Sequence, residues 1–209
     1  QTAQALTLPG DAPDKPPRQY GFYFMNVMPF SLPWLWTNGG DVLGPHGERA
    51  KGYFDGPKSI EAVQFLSDLM LKYHVAPTIE EAKASGQDLF RSGKAAMDLK
   101  GHWMMIDYRA DGLDFGVVPL PTTTGRKTTV VYLTGLSVTA KAKHPKLAWE
   151  YIKYMTSKEV QIKRVSTGLA ISGNKQAAAH YAGTPVEDAF IAAVDYARPP
   201  GGATVERYP

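Results

Sequence analysis

Trp103 is the residue whose type and position best suit ligand chemistry. It lies in residues 93–105, GKAAMDLKGHWMM, where a strand-like run ends at Gly101 and a helix is predicted to begin. In α/β proteins, ligands are usually bound at the carboxyl ends of strands, where helix amides and exposed side chains converge. Core packing is the ordinary alternative for a lone tryptophan, and these residues alone leave both roles open.

Catalytic chemistry has little support in the residue pattern. Asp41 and Asp98 are the carboxylates considered for glycoside hydrolysis, but nothing in their spacing places them about 5 to 10 Å apart across a scissile bond. The chain has no cysteine and no GxxxxGK[ST] phosphate-binding loop. We therefore predict no enzyme activity, no catalytic residue, no metal site and no cofactor. The histidines lack metal-ligand spacing and are predicted to have surface or capping roles: His46, His74, His102, His144 and His180.

Composition narrows the class of protein. With 209 residues and 44% hydrophobic content, the chain can bury a sizeable core and is predicted to form one domain or one large lobe. Lys+Arg 23 against Asp+Glu 20, without a clustered basic stripe, excludes a nucleic-acid partner. No apolar run approaches the roughly 20 residues that cross a bilayer. No charged-then-apolar leader opens the chain, so an export signal is expected to have been removed or never to have existed.

Helices alternating with strands predict an α/β fold. Residues 1–19 are polar and proline-rich and are interpreted as a helix remnant followed by an extended linker. We expect a single lobe with a central sheet of about four or five strands and helices on both faces. The strands are predicted at residues 20–27, 94–99, 113–121 and 128–140. The clearest helix carries an apolar stripe expected to face the core: Ile60, Val63, Leu66, Leu69 and Met70.

A second aromatic cluster lies in residues 29–42, PFSLPWLWTNGGDV. Phe30, Trp34 and Asn38 are four residues apart and therefore fall on one face of a predicted helix that ends at two glycines. Trp36 lies on a different face of this helix and is predicted to be buried.

Six segments in order resemble the extracellular solute-binding proteins of ABC importers, in the sugar-binding family that includes maltose-binding protein. The resemblance covers about residues 20–198. The segments are PWLWTNGGDV, GPKSIEAVQFLSDLMLKY, LFRSGKAAMDLKGHWM, DFGVVPLP, LTGLSVTAKAKHPKLAWEYIKYMTSKEVQ and STGLAIS.

The resemblance implies a periplasmic-binding-protein-like fold, in which two α/β lobes joined by hinge strands close on a sugar. The opening segment of the first lobe and the closing helices of the family have no counterpart in the sequence, so the chain is interpreted as the second, carboxyl-side lobe. Residues 1–19 are then a linker or remnant of the preceding lobe, residues 20–198 the second lobe, and residues 199–209 a tail toward the missing closing helices.

The resemblance also implies binding residues. KGHWM is similar to the family's GPW, whose tryptophan stacks on a sugar ring, so Trp103 is the expected platform and His102 stands where the family has proline. Sugars present C–H patches and hydroxyl edges, which suit flat rings with a few fixed polar groups. We expect Trp103 and Trp34 on one concave, partly exposed surface. The further expected contacts are Phe30, Asn38, Thr134 and Gly135, while the STGLAIS loop around Gly168 supports the cleft.

The function that the resemblance implies is capture of a sugar or oligosaccharide for import, outside the cytoplasm, in the periplasm or as a cell-surface lipoprotein. The expected partners are the sugar, the ABC permease transmembrane subunits and the missing first lobe. Self-association is also expected, because a lone lobe leaves apolar hinge and cleft surface uncovered. Two alternatives stay open: a fragment of a carbohydrate-active enzyme, and a lobe for a non-sugar ligand such as a glycerol phosphodiester or a polyamine. Lys141, Lys143 and Lys146 are interpreted as a solvated basic face, with permease docking as the alternative.

Overall fold

A computed structural model of the chain describes residues 1–12, 15–122 and 124–200. These residues form two compact units. The first contains the described parts of residues 1–100 and 120–130, and residues 197–200; the second contains residues 101–119 and 131–196. The sequence predicted a single core. The structure differs because residues 101–119 and 131–196, which the sequence placed in the same lobe as the rest, make most of their contacts among themselves.

The first unit holds four helices and one small sheet among its described residues. The helices are α1 (Thr2–Leu6), α2 (Met28–Thr37), α3 (Pro57–Leu71) and α4 (Ile79–Ser85). Strands β1 (Thr129–Val130) and β2 (Ala197–Arg198) pair in parallel, with Thr129 opposite Ala197 and Val130 opposite Arg198. Helix α1 packs close to Gly21, where a Cβ atom would lie 1.8 Å from the Ala3 carbonyl oxygen.

The predicted sheet of four or five strands is not present in the described residues. Beyond β1 and β2, regular pairing is limited to isolated bridges, of which Tyr20–Ala95 and Tyr23–Asp98 run in parallel. These two bridges join the predicted strands 20–27 and 94–99. Segment 128–140 is rich in β-branched residues and segment 113–121 contains Val117 and Val118. Such composition favours a pleated surface but does not supply a pairing partner. The α/β class is confirmed, whereas the extent of the sheet is smaller than predicted.

Helices α2 and α3 build the core of the first unit. Phe24, Trp34, Leu66 and Ala76 form a buried cluster, against which Leu69 and Met70 pack. Two residues of the predicted α3 stripe, Ile60 and Val63, are instead exposed.

The small residues of α3 face inward instead, and Ser59 explains why. The Ser59 hydroxyl shares its one proton between the Asp41 and Tyr53 carbonyl oxygens, at 3.0 and 2.7 Å, and accepts from the Asp41 amide. A Cβ atom at Gly40 would lie 2.5 Å from the Ser59 Oγ. This close approach turns Ser59, Ala62 and Leu66 toward the core.

The second unit is helical in its regular structure. A 3₁₀ turn, His102–Met104, leads directly into α5 (Met105–Ala110). The other helices are α6 (Pro145–Met155), α7 (Lys158–Val165), α8 (Lys175–His180) and α9 (Pro185–Ala193), followed by a 3₁₀ turn at Val194–Tyr196. Side chains at three helix starts accept hydrogen bonds from the first turn, as helix caps do: Ser157, Asn174 and Thr184.

In the described part of the chain, no helix combines the length and apolar character that crossing a membrane requires. Of the predicted tail at residues 199–209, positions 201–209 lie outside the described residues.

Candidate functional site

Trp103 is an exposed aromatic residue on a short turn of the second unit. It is 47% exposed. Its ring lies over Gly101, where a Cβ atom would come within 1.9 Å of the ring carbon Cζ3. Trp103 is therefore not a core residue. A ring supported by backbone on one side and exposed to solvent is suited to pack against an apolar ligand face.

His102, the neighbour of Trp103, points the opposite way into the protein. Its side chain is buried, and its Nε2 lies 2.8 Å from the Glu187 Oε2. The His102 ring also contacts the Phe190 ring edge to face, with centroids 4.9 Å apart. Because a carboxylate oxygen can only accept, we assign the proton to His102 Nε2. The turn that carries Trp103 is thus anchored to α9 by a hydrogen bond and a ring contact.

Glu187 joins two elements of the second unit. One carboxylate oxygen faces His102, and the other accepts a hydrogen bond from the Arg109 guanidinium on α5. Burial by itself would raise the pKa of the Glu187 carboxyl, but the hydrogen bonds from Arg109 and His102 outweigh burial and hold the pKa below its ordinary value. The buried carboxylate is therefore ionised at neutral pH and held by two donors.

The predicted polar contacts Thr134 and Gly135 also belong to the second unit. Both are exposed, in a segment without regular secondary structure. Gly168 has φ +76°, in the left-handed region that favours glycine, and a Cβ atom there would lie 3.5 Å from the Arg109 Nη1. This proximity places the loop around Gly168 against α5.

The aromatic residues of α2 lie in the first unit and differ from the prediction. Trp34 is 7% exposed and packs between Phe22 and Phe65, at centroid distances of 5.9 and 5.6 Å. The prediction that Trp34 is partly exposed is wrong, because α2 is buried on all sides from Leu32 to Thr37 and so presents no separate ligand face. The predicted burial of Trp36 is confirmed at 0% exposure.

Phe30 and Asn38, the other predicted contacts of α2, lie at its two ends. Phe30 is half-buried. The Asn38 amide donates to the Lys58 carbonyl oxygen at 2.9 Å and to the Glu61 carboxylate at 3.2 Å. Asn38 therefore connects the end of α2 to the start of α3.

The two carboxylates considered for catalysis are both held by cations. Asp41 accepts from the Trp36 indole N–H at 2.8 Å and from Arg198 at 2.7 Å. Burial would raise the pKa of Asp41, but these hydrogen bonds hold the pKa below its ordinary value, which is opposite to what a general acid needs. Asp98 lies 3.7 Å from the Lys100 ammonium, which also lies 3.4 Å from Asp88.

Arg109 and Glu187 were not predicted as site residues. Glu187 is 78 residues from Arg109 and 85 from His102 along the chain. No local pattern signals such pairing. The departure of His102 from the family's proline was the one visible sign that this turn has its own anchor. Among the described residues, no group of three or more His, Asp or Glu side chains could hold a metal ion.

Comparisons with known proteins find solute-binding proteins. The family model described as "Bacterial extracellular solute-binding protein" matches residues 1–162. The maltotriose-binding protein of Pyrococcus abyssi is 29% identical over 120 residues, which cover 55% of this chain and 26% of that protein.

Two solved structures share the fold. The maltose/maltodextrin-binding domain MalE from Bdellovibrio bacteriovorus bound to maltotriose is 24% identical with a TM-score of 0.77, over 96% of this chain and 54% of that chain. The Thermus thermophilus maltotriose binding protein bound with maltotriose is 25% identical with a TM-score of 0.72, over 95% of this chain and 52% of that chain. These likenesses confirm the predicted periplasmic-binding-protein-like fold class. The chain spans about half the length of these structures.

Proposed function

The chain belongs to the family of bacterial extracellular solute-binding proteins, and from this premise we propose that it is the carbohydrate-binding part of an ABC-transporter substrate-binding protein. In this proposal, residues 20–198 are the second lobe of a two-lobed protein that captures a sugar or oligosaccharide for import. Its location is the periplasm or the outer cell surface, and its partners are the permease transmembrane subunits and the other lobe.

The observation that carries the proposal is the exposed Trp103 ring on its anchored turn. Sugar rings present C–H groups on one face, and an immobile indole offers a large flat surface without an entropic penalty for ordering it. The three relatives described above are maltotriose-binding or maltodextrin-binding proteins, or were solved with maltotriose bound. We therefore place maltodextrins first among the sugars to test.

Other site residues have secondary roles in this proposal. Thr134 and Gly135 are exposed and supply a hydroxyl and backbone groups for sugar hydroxyls. Phe30, Trp34 and Asn38 belong to the first unit, where Trp34 packs in the core and Asn38 joins the end of α2 to the start of α3. The enzyme alternative gains no support from Asp41 and Asp98, because each is held by a cation.

The test is isothermal titration calorimetry of the chain with maltose, maltotriose and a panel of other neutral sugars. One stacking platform with a few exposed hydrogen bonds should reach only about millimolar affinity, near 4 kcal/mol. A longer form of the protein that closes over the sugar should bind far more tightly, because closure excludes water from the contacts.

Substitution of Trp103 by alanine in the longer form should weaken sugar binding about tenfold or more. Trp149→Ala is the matched control, since Trp149 is an equally exposed tryptophan on α6. Unchanged affinity in Trp103→Ala, together with a loss in Trp149→Ala, would move the site elsewhere. Release of reducing sugar during the titration would favour the enzyme alternative.

A further inference from the structure

We propose that Glu187 is a positioning residue for the Trp103 ring and acts through its simultaneous contacts with His102 and Arg109. The inference rests on the proposed function, because it concerns the ring that a sugar would contact. It goes beyond that function by identifying what holds the ring in one orientation.

Glu187 holds two residues that lie near the opposite ends of one helical segment. His102 is the first residue of the 3₁₀ turn and Arg109 lies in the last turn of α5, and both side chains leave the segment toward α9. The same carboxylate meets both of them. The 3₁₀ turn and α5 are thus fixed to α9 at their first and penultimate residues.

Trp103 lies inside this segment, next to one of its two anchors. Trp103 directly follows the anchored His102, and the turn closes with a hydrogen bond from the Met104 amide to the Gly101 carbonyl oxygen at 3.2 Å. Without the anchor at His102 this turn is free to open, which would let the Trp103 ring leave Gly101. Phe190, one helical turn after Glu187, contacts His102 and restrains the same turn.

Other arrangements of the Glu187 cluster are energetically unfavourable. His102 and Glu187 are buried, and the His102 Nδ1 has no hydrogen-bond partner among the described residues. A buried carboxylate that loses one of its donors is strongly destabilised, because its charge is then incompletely compensated. The cluster therefore has one favourable geometry, and this geometry fixes the orientation of the 3₁₀ turn that carries Trp103.

The test is acrylamide quenching of tryptophan fluorescence in the 209-residue chain carrying Trp149→Phe. The chain has four tryptophans, and Trp34 and Trp36 are buried, so Trp103 is then the accessible one. Glu187→Gln keeps the side-chain size and removes the charge. The glutamine NH₂ group then faces either His102 or Arg109, both of which are donors, so one of the two hydrogen bonds is lost. We expect the quenching constant to rise about twofold, since a ring that leaves Gly101 exposes its second face.

Glu159→Gln is the matched control. Glu159 lies on α7 with an exposed carboxylate 3.9 Å from Lys163, so its substitution removes the same charge without touching the cluster. Its quenching constant should equal that of the parent. If Glu187→Gln does not fold by circular dichroism, Arg109→Lys replaces it, since Arg109 is half exposed and lysine cannot reproduce the planar guanidinium contact. Folded variants with an unchanged quenching constant would overturn the inference.

A maltotriose titration of the same variants separates the inference from the proposed function. A raised quenching constant with affinity lowered about tenfold supports both. A raised quenching constant with unchanged affinity leaves the positioning role intact and removes Trp103 from the sugar site. A purely stabilising role would lower the melting temperature of Glu187→Gln while leaving the quenching of the folded protein unchanged.

Discussion

At the residue scale, the Trp103 ring can pack on Gly101 because glycine has no side chain. The Trp103 ring occupies the space that a Cβ atom of Gly101 would need. Gly101 has φ −92°, so alanine is compatible with its backbone and any effect of substitution must come from the ring.

We expect Gly101→Ala to displace the Trp103 ring while changing the free energy of unfolding by no more than about 1 kcal/mol, because an exposed side chain can move away. Near-ultraviolet circular dichroism should change, and sugar affinity should fall with it. Gly116→Ala is the control, since nothing lies within 4 Å of its added Cβ. Identical spectra for both variants would contradict the packing of the ring on Gly101.

The Glu187 carboxyl makes a prediction about acid stability. Its folded pKa lies below the ordinary value of 4.5, so the folded state binds fewer protons than the unfolded state in that range. The stabilisation is therefore fully present above about pH 4.5 and is lost as the pH falls through the folded pKa. Urea unfolding at several pH values between about 7 and 3 should show a weaker pH dependence in Glu187→Gln than in the parent. Parallel curves for the two proteins would show that the ion-pair cluster does not form in solution.

At the scale of elements, α3 shows how hydrogen bonding acts beside an apolar stripe. Its most buried residue is Ser59, whose hydroxyl accepts from the Asp41 amide and shares its one proton between the Asp41 and Tyr53 carbonyl oxygens. Ile60 and Val63 are at the surface. The orientation of α3 about its axis is thus set by these polar contacts together with the packing of the other stripe residues, Leu66, Leu69 and Met70.

We expect Ser59→Ala to lower the free energy of unfolding by about 1–3 kcal/mol, because the Asp41 amide and two carbonyl oxygens lose a partner. Ser85→Ala provides the contrast. The Ser85 hydroxyl is buried without a hydrogen-bond partner among the described residues, so alanine there should be neutral or stabilising. Urea denaturation of the two variants measures the difference. Equal destabilisation would argue against this role of Ser59.

At the scale of the whole chain, α6 has an exposed apolar face that favours self-association. It has no fully buried residue, and Leu147, Tyr151 and Tyr154 lie on one exposed face. Exposed apolar faces of this kind usually mark an interaction surface. We expect two copies of the isolated chain to pair through this face of α6, since a two-fold interface needs only one self-complementary surface.

Multi-angle light scattering should show a mass that rises with concentration, and Leu147→Lys should weaken the association about tenfold or more. Leu71→Lys is the control, because Leu71 is an exposed leucine on α3 in the first unit. A monomer at every concentration, or an equal effect of both substitutions, would contradict pairing through α6.

Local pattern was sufficient for much of this protein. Alternating elements predicted the α/β class, the ordered segments resembled the family that the comparisons confirmed, and the burial of Trp36 followed from its place on the helix. These features depend on residues a few positions apart, whose geometry is set by the helical or strand repeat. The sequence also singled out Trp103, which the structure exposes, although its contact with a sugar stays a prediction.

Tertiary structure alone decided the remaining features. The sequence could not show that α2 is enclosed on all sides, which buries Trp34, or that the sheet within the described residues has two short strands. Nor could it show that Glu187 meets His102 and Arg109 across 85 and 78 residues of chain. Contacts of this kind depend on which distant elements pack together, and that choice follows from the total burial and hydrogen bonding of the fold, which no local period records.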